Sequence, residues 1–176
     1  MTEKTANNLY LLRHAKAQKA VPGEDDLARP LIRRGRDNAE AMAAWLRKNQ
    51  VQPALVLCSP SARTRETLEI VQPALGDPKI VFEAALYGAS PLALRSILVR
   101  LGRAADSVLI VGHNPGIQEL AVGLAGHGPP RLRTRMREKY PTCALAVFSA
   151  PTNDWAGFAA LSRIEAFIRP ADLTPE

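Results

Sequence analysis

The sequence predicts an α/β protein built as a three-layer α/β/α sandwich, with a mainly parallel sheet and an antiparallel edge. Three observations carry that expectation. Short apolar runs alternate with segments of helical hydrophobic period. Strand ends pass into helices through Ser-Pro or Asn-Pro steps. Two apolar runs near the carboxyl end, 142–149 and 158–168, are joined by the turn-rich Pro151-Thr152-Asn153-Asp154, which reads as a hairpin. The chain has 176 residues, 47% of them apolar and only 5% aromatic, enough for one domain spanning 1–176 with a core over about 8–170.

The first run, Leu9-Tyr10-Leu11-Leu12, has the continuous apolarity of a strand buried on both faces, and Arg13-His14 fall at its carboxyl end. Ligands of open α/β sheets sit at such ends. From Lys16 to Arg29 the breaker-rich stretch with Val21-Pro22-Gly23-Glu24-Asp25-Asp26 is a loop over the strand end. A helix follows from Ile32 to Asn49, with Ala39, Met42, Ala43 and Leu46 on one face.

Ala54 to Cys58 is the second strand. Ser59 is the expected N-cap, with Pro60 at the first helical position and the helix running to about Leu75, so that Arg63 lies in its first turn. Lys79 to Phe82 is the third strand and leads to Glu83. Ser90-Pro91 opens a helix striped by Leu94, Ile97, Leu98 and Leu101, closed by Gly102. Ser107 to Val111 is the fourth strand, followed by Gly112-His113-Asn114-Pro115 and a helix with Ile117, Leu120, Ala121 and Leu124 on one face.

The formal charge is +6, which suits either nucleic acid or an anionic substrate. The densest basic run, Arg131 to Lys139, has no interleaved aromatic residue of the kind a single-strand platform needs, and reads as a solvated face. Cys58 and Cys143 sit in apolar runs and suit a reducing compartment. The polar amino terminus, Met1 to Asn8, has no signal-peptide core and no stretch approaches the span of a bilayer, so a soluble cytoplasmic protein without membrane partners is expected.

Strand ends thus place Arg13, His14, Arg63 and His113 on one rim of the sheet. Guanidinium forks match phosphate oxygens, and a neutral imidazole can attack phosphorus. The expected ligand is a phosphate, with His14 as nucleophile and His113 as a second donor.

Leu12-Arg13-His14-Ala15-Lys16-Ala17, Ser59 to Thr67 and Val111-Gly112-His113-Asn114-Pro115 resemble, in order, the signature segments of the histidine phosphatase superfamily, which includes the cofactor-dependent phosphoglycerate mutases. The likeness is to its small SixA-type branch of bacterial phosphohistidine phosphatases. It extends over roughly residues 8 to 165 through Asp26 to Leu31, Gly35 and Lys139 to Leu145. The resemblance implies a phosphoglycerate mutase-like fold, a nucleophile at His14, and a pocket of Arg13, Arg63 and His113, with Lys16 joining them in substrate binding and no metal or cofactor. It places the proton donor after the third strand, where Glu83 stands. Asp25 and Asp26, in the loop after His14, are the alternatives.

Fifty positions separate Arg63 from His113, too few for the lid-like insert of larger family members, so an open site for a phosphohistidine protein is expected. The alternatives are a phosphomonoesterase for a small metabolite or nucleotide, and a module that binds phosphate without catalysis. A cysteine phosphatase would use Cys58 with Arg63, but four residues rather than five lie between them. His14, His113 and His127 share no metal-ligand spacing, and His127 is expected in an exposed loop.

Overall fold

A computed structural model describes residues 6–173; residues 1–5 of the polar amino-terminal stretch lie outside the described residues. Six strands form one sheet in the order β3-β2-β4-β1-β5-β6. They are β1 (Asn7–Arg13), β2 (Leu55–Cys58), β3 (Lys79–Phe82), β4 (Ser107–Gly112), β5 (Leu145–Ala150) and β6 (Arg163–Ile168). The first four are mutually parallel. β5 runs antiparallel to both β1 and β6 and makes the expected antiparallel edge.

Because side chains alternate across a strand, an apolar run feeds both faces of the sheet. Leu9 and Leu11 of β1 pack with α3 (Pro91–Leu101), α4 (Gly116–Leu124), α5 (Pro130–Glu138) and α6 (Trp155–Leu161). Leu12 faces the other way, against α1 (Arg33–Lys48) and α2 (Ala62–Val71). The stripes expected on α1 and α4 are the buried ones: Ala39, Met42, Ala43 and Leu46, then Ile117, Leu120, Ala121 and Leu124. Ser90 caps α3 by accepting from Ala93 N, with Pro91 behind it.

Three expectations are corrected. Ser59 does not cap α2, because its N–H bonds Val111 O at 3.1 Å and keeps it extended beside β4. The cap is Ser61, whose side chain accepts from Thr64 N. α2 also ends early, at Val71, and Gln72–Ala74 form a 3-10 turn around Pro73, which has no N–H to continue the ladder.

The third correction concerns the carboxyl-terminal hairpin, which contains a helix. Asp154 accepts from Ala156 N and starts α6, and Trp155 and Phe158 on it are buried, so the second strand begins at Arg163 and not at Phe158. The basic run is helical, as α5, with Leu132 and Met136 buried and the arginines outward. No helix among the described residues is long and apolar enough to cross a membrane.

Candidate active site

The site lies where β1, β2 and β4 end. β1 and β4 are in register at Arg13 and Gly112, so His14 and His113, one residue beyond each, leave the sheet side by side. Their ring centroids are 5.3 Å apart. Arg63 enters from the first turn of α2, and its Nη2 lies 3.3 Å from His113 Nδ1. All three are nearly buried, with 8% of His14, 9% of His113 and 5% of Arg63 exposed.

Hydrogen bonding fixes both imidazoles. His14 Nδ1 is 2.7 Å from Ala15 O; a carbonyl only accepts, so Nδ1 carries the proton and Nε2 keeps its lone pair. Nε2 has no hydrogen-bond partner among the described residues. In His113 the order is reversed. A guanidinium only donates, so Nδ1 accepts from Arg63, and Nε2–H donates to Ser59 Oγ at 2.7 Å.

Burial sets the charge of these rings. It lowers the His14 pKa to about 3, with His113, Arg63 and Arg13 adding to it against the opposing Ala15 bond. It lowers His113 to about 4, and Arg63 is the next contributor. Both rings are neutral at physiological pH. Arg13 is pressed below its usual value by burial and by Arg63, which marks how closely the cations are gathered.

The surrounding chain holds them there. Arg13 Nη1 donates to Tyr140 O at 2.9 Å, which also accepts from Asn114 Nδ2 at 3.0 Å. The fully buried Tyr140 hydroxyl donates to Leu11 O at 2.6 Å and ties the same segment to β1. Ala15 N donates to Thr67 Oγ1 at 2.9 Å, and Thr67 in turn donates to Arg63 O, joining the loop after His14 to α2. These bonds tie the segments around the site together, while Arg13 Nε, Arg63 Nε and Asn114 Oδ1 are buried without a hydrogen-bond partner among the described residues.

The acidic candidates separate. Glu83 caps its own 3-10 turn through Ala85 N at 3.0 Å and pairs with Arg100 at 3.2 Å, and none of its bonds reaches the two histidines or Arg63. The reason is local, since a carboxylate at the N-cap is held by the turn it starts. Asp25 likewise caps the turn at Asp26–Ala28. Asp26 does reach the site: its Oδ2 accepts from Arg63 Nη2 at 3.0 Å and from the Tyr87 hydroxyl, and its backbone oxygen from Arg63 Nη1 at 2.7 Å. Tyr87 stands edge-on to the His113 ring at 5.4 Å. The Lys16 side chain makes no hydrogen bond to the histidines; it lines a neighbouring cleft with Arg13.

Ser59 and Tyr87 were not singled out for the site by sequence reasoning. Ser59 had a signal, its place at a strand end beside the other three. Cys58 is fully buried and its thiol is pushed up to about 12, which removes the thiolate a cysteine phosphatase needs. His127 is exposed. No group of three or more His, Cys, Asp or Glu residues that could hold a metal ion occurs among the described residues.

A parallel sheet that gathers two imidazoles and two guanidiniums at its strand ends defines a class of α/β proteins that handle phosphate. The model of the histidine phosphatase superfamily (branch 1) matches residues 9–87. An uncharacterised Mycobacterium tuberculosis protein is 36% identical over 148 residues, 82% of this chain and 90% of its own. The phosphohistidine phosphatase SixA of Escherichia coli is 31% identical over 130 residues, 72% of this chain and 80% of its own. A solved structure of the protein histidine phosphatase SixA complexed with tungstate superposes with a TM-score of 0.75 at 27% identity, covering 95% of this chain and 99% of its own. The chain belongs to the histidine phosphatase superfamily and groups with its SixA-type members.

Proposed function

We propose that the protein hydrolyses phosphohistidine on protein substrates, through a phosphohistidine intermediate on its own His14. The observation that carries this is the His14 ring: Nδ1 is committed to Ala15 O, the ring is held neutral, and Nε2 is left as a nucleophile beside Arg13 and Arg63. Nε2 attacks phosphorus as the bond from phosphorus to the substrate nitrogen breaks. The guanidiniums of Arg13 and Arg63 neutralise the transferring oxygens. Water then attacks the phosphorus on His14, releases orthophosphate and restores the ring. The dianion raises the proton affinity of His113, so Nδ1 can become a donor to it while Nε2 stays on Ser59.

The state of the carboxyl groups favours a phosphoramidate over a phosphate ester. The Tyr87 hydroxyl, Arg29 and Arg63 hold Asp26 far below the usual carboxylate range. The Ala85 N–H and Arg100 lower Glu83 as well. Neither holds a proton at neutral pH, so neither suits the general-acid role that an alkoxide leaving group demands. A phosphohistidine ring can take a proton from water on its free nitrogen before the bond to phosphorus breaks, and so leaves as neutral imidazole with no carboxylic acid beside it. The SixA relatives, named as phosphohistidine phosphatases, support the same substrate class.

The test is labelling with a small phosphodonor such as phosphoramidate. The protein should take up acid-labile, base-stable phosphate; His14→Ala should lose it and His127→Ala should keep it. Equal labelling of both variants would remove His14 from the reaction. A turnover panel of phosphohistidine protein, phosphoserine and phosphotyrosine peptides, sugar phosphates and nucleotides, with His14→Ala as blank, then ranks the substrates.

A further inference from the structure

Beside Arg13 lies a cleft of about 440 Å³ whose walls carry Arg13, Lys16, Arg34, Lys139 and Arg169, with no acidic residue among the described residues that line it. The whole chain has 23 Lys and Arg against 17 Asp and Glu, and five of those cations line this one cleft. The five cations come from four separate segments: the end of β1 with the stretch after it, the first turn of α1, the approach to β5, and the residue after β6. Chance clustering along one helix does not explain them.

The fold holds these segments close. Lys16 O accepts from Ile32 N at 3.0 Å, and Gly35 packs so tightly that a Cβ there would lie 2.0 Å from Lys16 O. Cys143 N bonds Arg13 O and His14 O at 3.1 and 2.9 Å, which fixes the stretch that begins at Lys139. Arg169 is clamped by Asp172 through its backbone N, Nε and Nη2. The side chains of Lys16, Arg34 and Lys139 make no ion pair or hydrogen bond among the described residues. Like charges held together without counter-charges are stabilised by an anionic ligand.

We infer that this cleft binds an acidic segment of the protein substrate next to its phosphorylated residue. The inference rests on the function proposed above and adds a recognition element to it. Arg13 joins the two: it directly precedes His14 in the chain, its charge acts on both histidines, and it lines the cleft. Among the described residues the cleft is lined by no aromatic residue that could stack on a base, and Lys16, Arg34 and Lys139 are solvent-exposed. Exposed charges act through their summed field and speed encounter with an oppositely charged surface. That suits an extended acidic chain better than a small ligand, which needs enclosure.

The test compares phosphohistidine peptides with acidic, neutral and basic flanks, and tripolyphosphate, on the wild type and on Arg34→Gln/Lys139→Gln. Phosphoramidate turnover monitors the reaction centre. At low salt the wild type should prefer the acidic peptide in kcat/KM by about tenfold, and the preference should fade as salt screens it. The double variant should lose that preference while keeping phosphoramidate turnover. An equal preference in the double variant, an equal loss on every substrate, or a loss confined to tripolyphosphate overturns the inference. Binding of the unphosphorylated acidic peptide, read by fluorescence anisotropy, reports on the cleft even without turnover. If the wild type hydrolyses no phosphohistidine peptide but binds the acidic peptide through Arg34 and Lys139, the proposed reaction fails and the acidic-segment site stands. If it binds acidic and basic peptides alike, the site fails.

Discussion

His14 and His113 are kept uncharged by burial among cations, and that has a cost in acid. An unfolded histidine titrates near 6.5, whereas these titrate at about 3 and about 4 in the fold. Below about pH 6.5 the unfolded chain therefore binds protons that the native rings refuse, and stability falls as pH drops towards the folded values. It is fully present above about 6.5. At pH 5 the loss is roughly 1–2 kcal/mol per ring. Melting curves in phosphate-free buffer at pH 7 and 5 should show a drop for the wild type and a smaller one for His14→Asn. An equal drop in both would mean that the His14 ring is not held neutral. Asp26 is a second residue-scale test. It is bonded to Arg63 and held far below the usual carboxylate range, so in the proposed reaction it positions that guanidinium and donates no proton. Asp26→Asn should lower kcat/KM by about tenfold, the scale of one charge-assisted hydrogen bond, and leave the shape of the pH–rate profile unchanged. Loss of the basic limb would make Asp26 the acid instead. Arg13, His14, Arg63 and His113 could be picked out in the sequence because each directly follows, or nearly follows, an apolar run. The bonds of Asp26 could not, because they reach 37 residues to Arg63 and 61 to Tyr87, and no local pattern encodes such distances.

Elements that announce themselves by period or by a cap were legible; those defined by a neighbour were not. α1 and α4 carry stripes long enough to declare a helix, and β1 and β4 are runs that only a two-sided burial accommodates. α6 has seven residues, too few for a stripe, and it depends on Trp155, whose Nε1 donates to Gly102 O and Ala105 O at 2.9 Å. Ser59 looked like a cap because a serine before a proline has the right chemistry for one; the sheet claimed its backbone first, and His113 its side chain. Gly35 shows how an element position can matter without any chemistry. It lies in the first turn of α1, buried, where the helix crosses the backbone of Lys16. Gly35→Ala would normally favour a helix, but here the methyl would meet a carbonyl oxygen at 2.0 Å. The variant should be destabilised by about 1–3 kcal/mol, through overpacking, and its melting temperature should fall by several degrees in a chain of this size. Its phosphotransfer should weaken as well, because the displaced segment begins two residues after His14. A variant at least as stable as the wild type would show that α1 can move aside freely.

At the scale of the whole molecule, the sheet changes direction at β1. β4 lies parallel on one side of it and β5 antiparallel on the other. Only one of β1's two neighbours therefore ends where β1 ends, and on the other side the chain enters β5 beside that point. Tyr140 and Cys143 come in there and are bonded to Leu11, Arg13 and His14. The rim is thus walled by backbone on the β5 side, with Arg63 and His113 on the β2 and β4 side. A chain of formal charge +6 with the buried Arg63 and the half-buried Arg13 at this point is under electrostatic strain that an oxyanion relieves. A ligand that binds only the native state stabilises it by linkage, by about 2.7 kcal/mol at a hundred times its Kd. For a chain of this length that is a rise in melting temperature of about 5–10 °C. Inorganic phosphate should produce this rise in the wild type. Chloride at matched ionic strength should give only the small part that comes from screening. Arg63→Ala should respond to both salts alike, because it removes a buried donor that the anion would share with Arg13. A phosphate shift no larger than the chloride shift in the wild type would mean that the rim, though cationic, holds no oxyanion site, and the reaction assigned to His14 would lose its substrate.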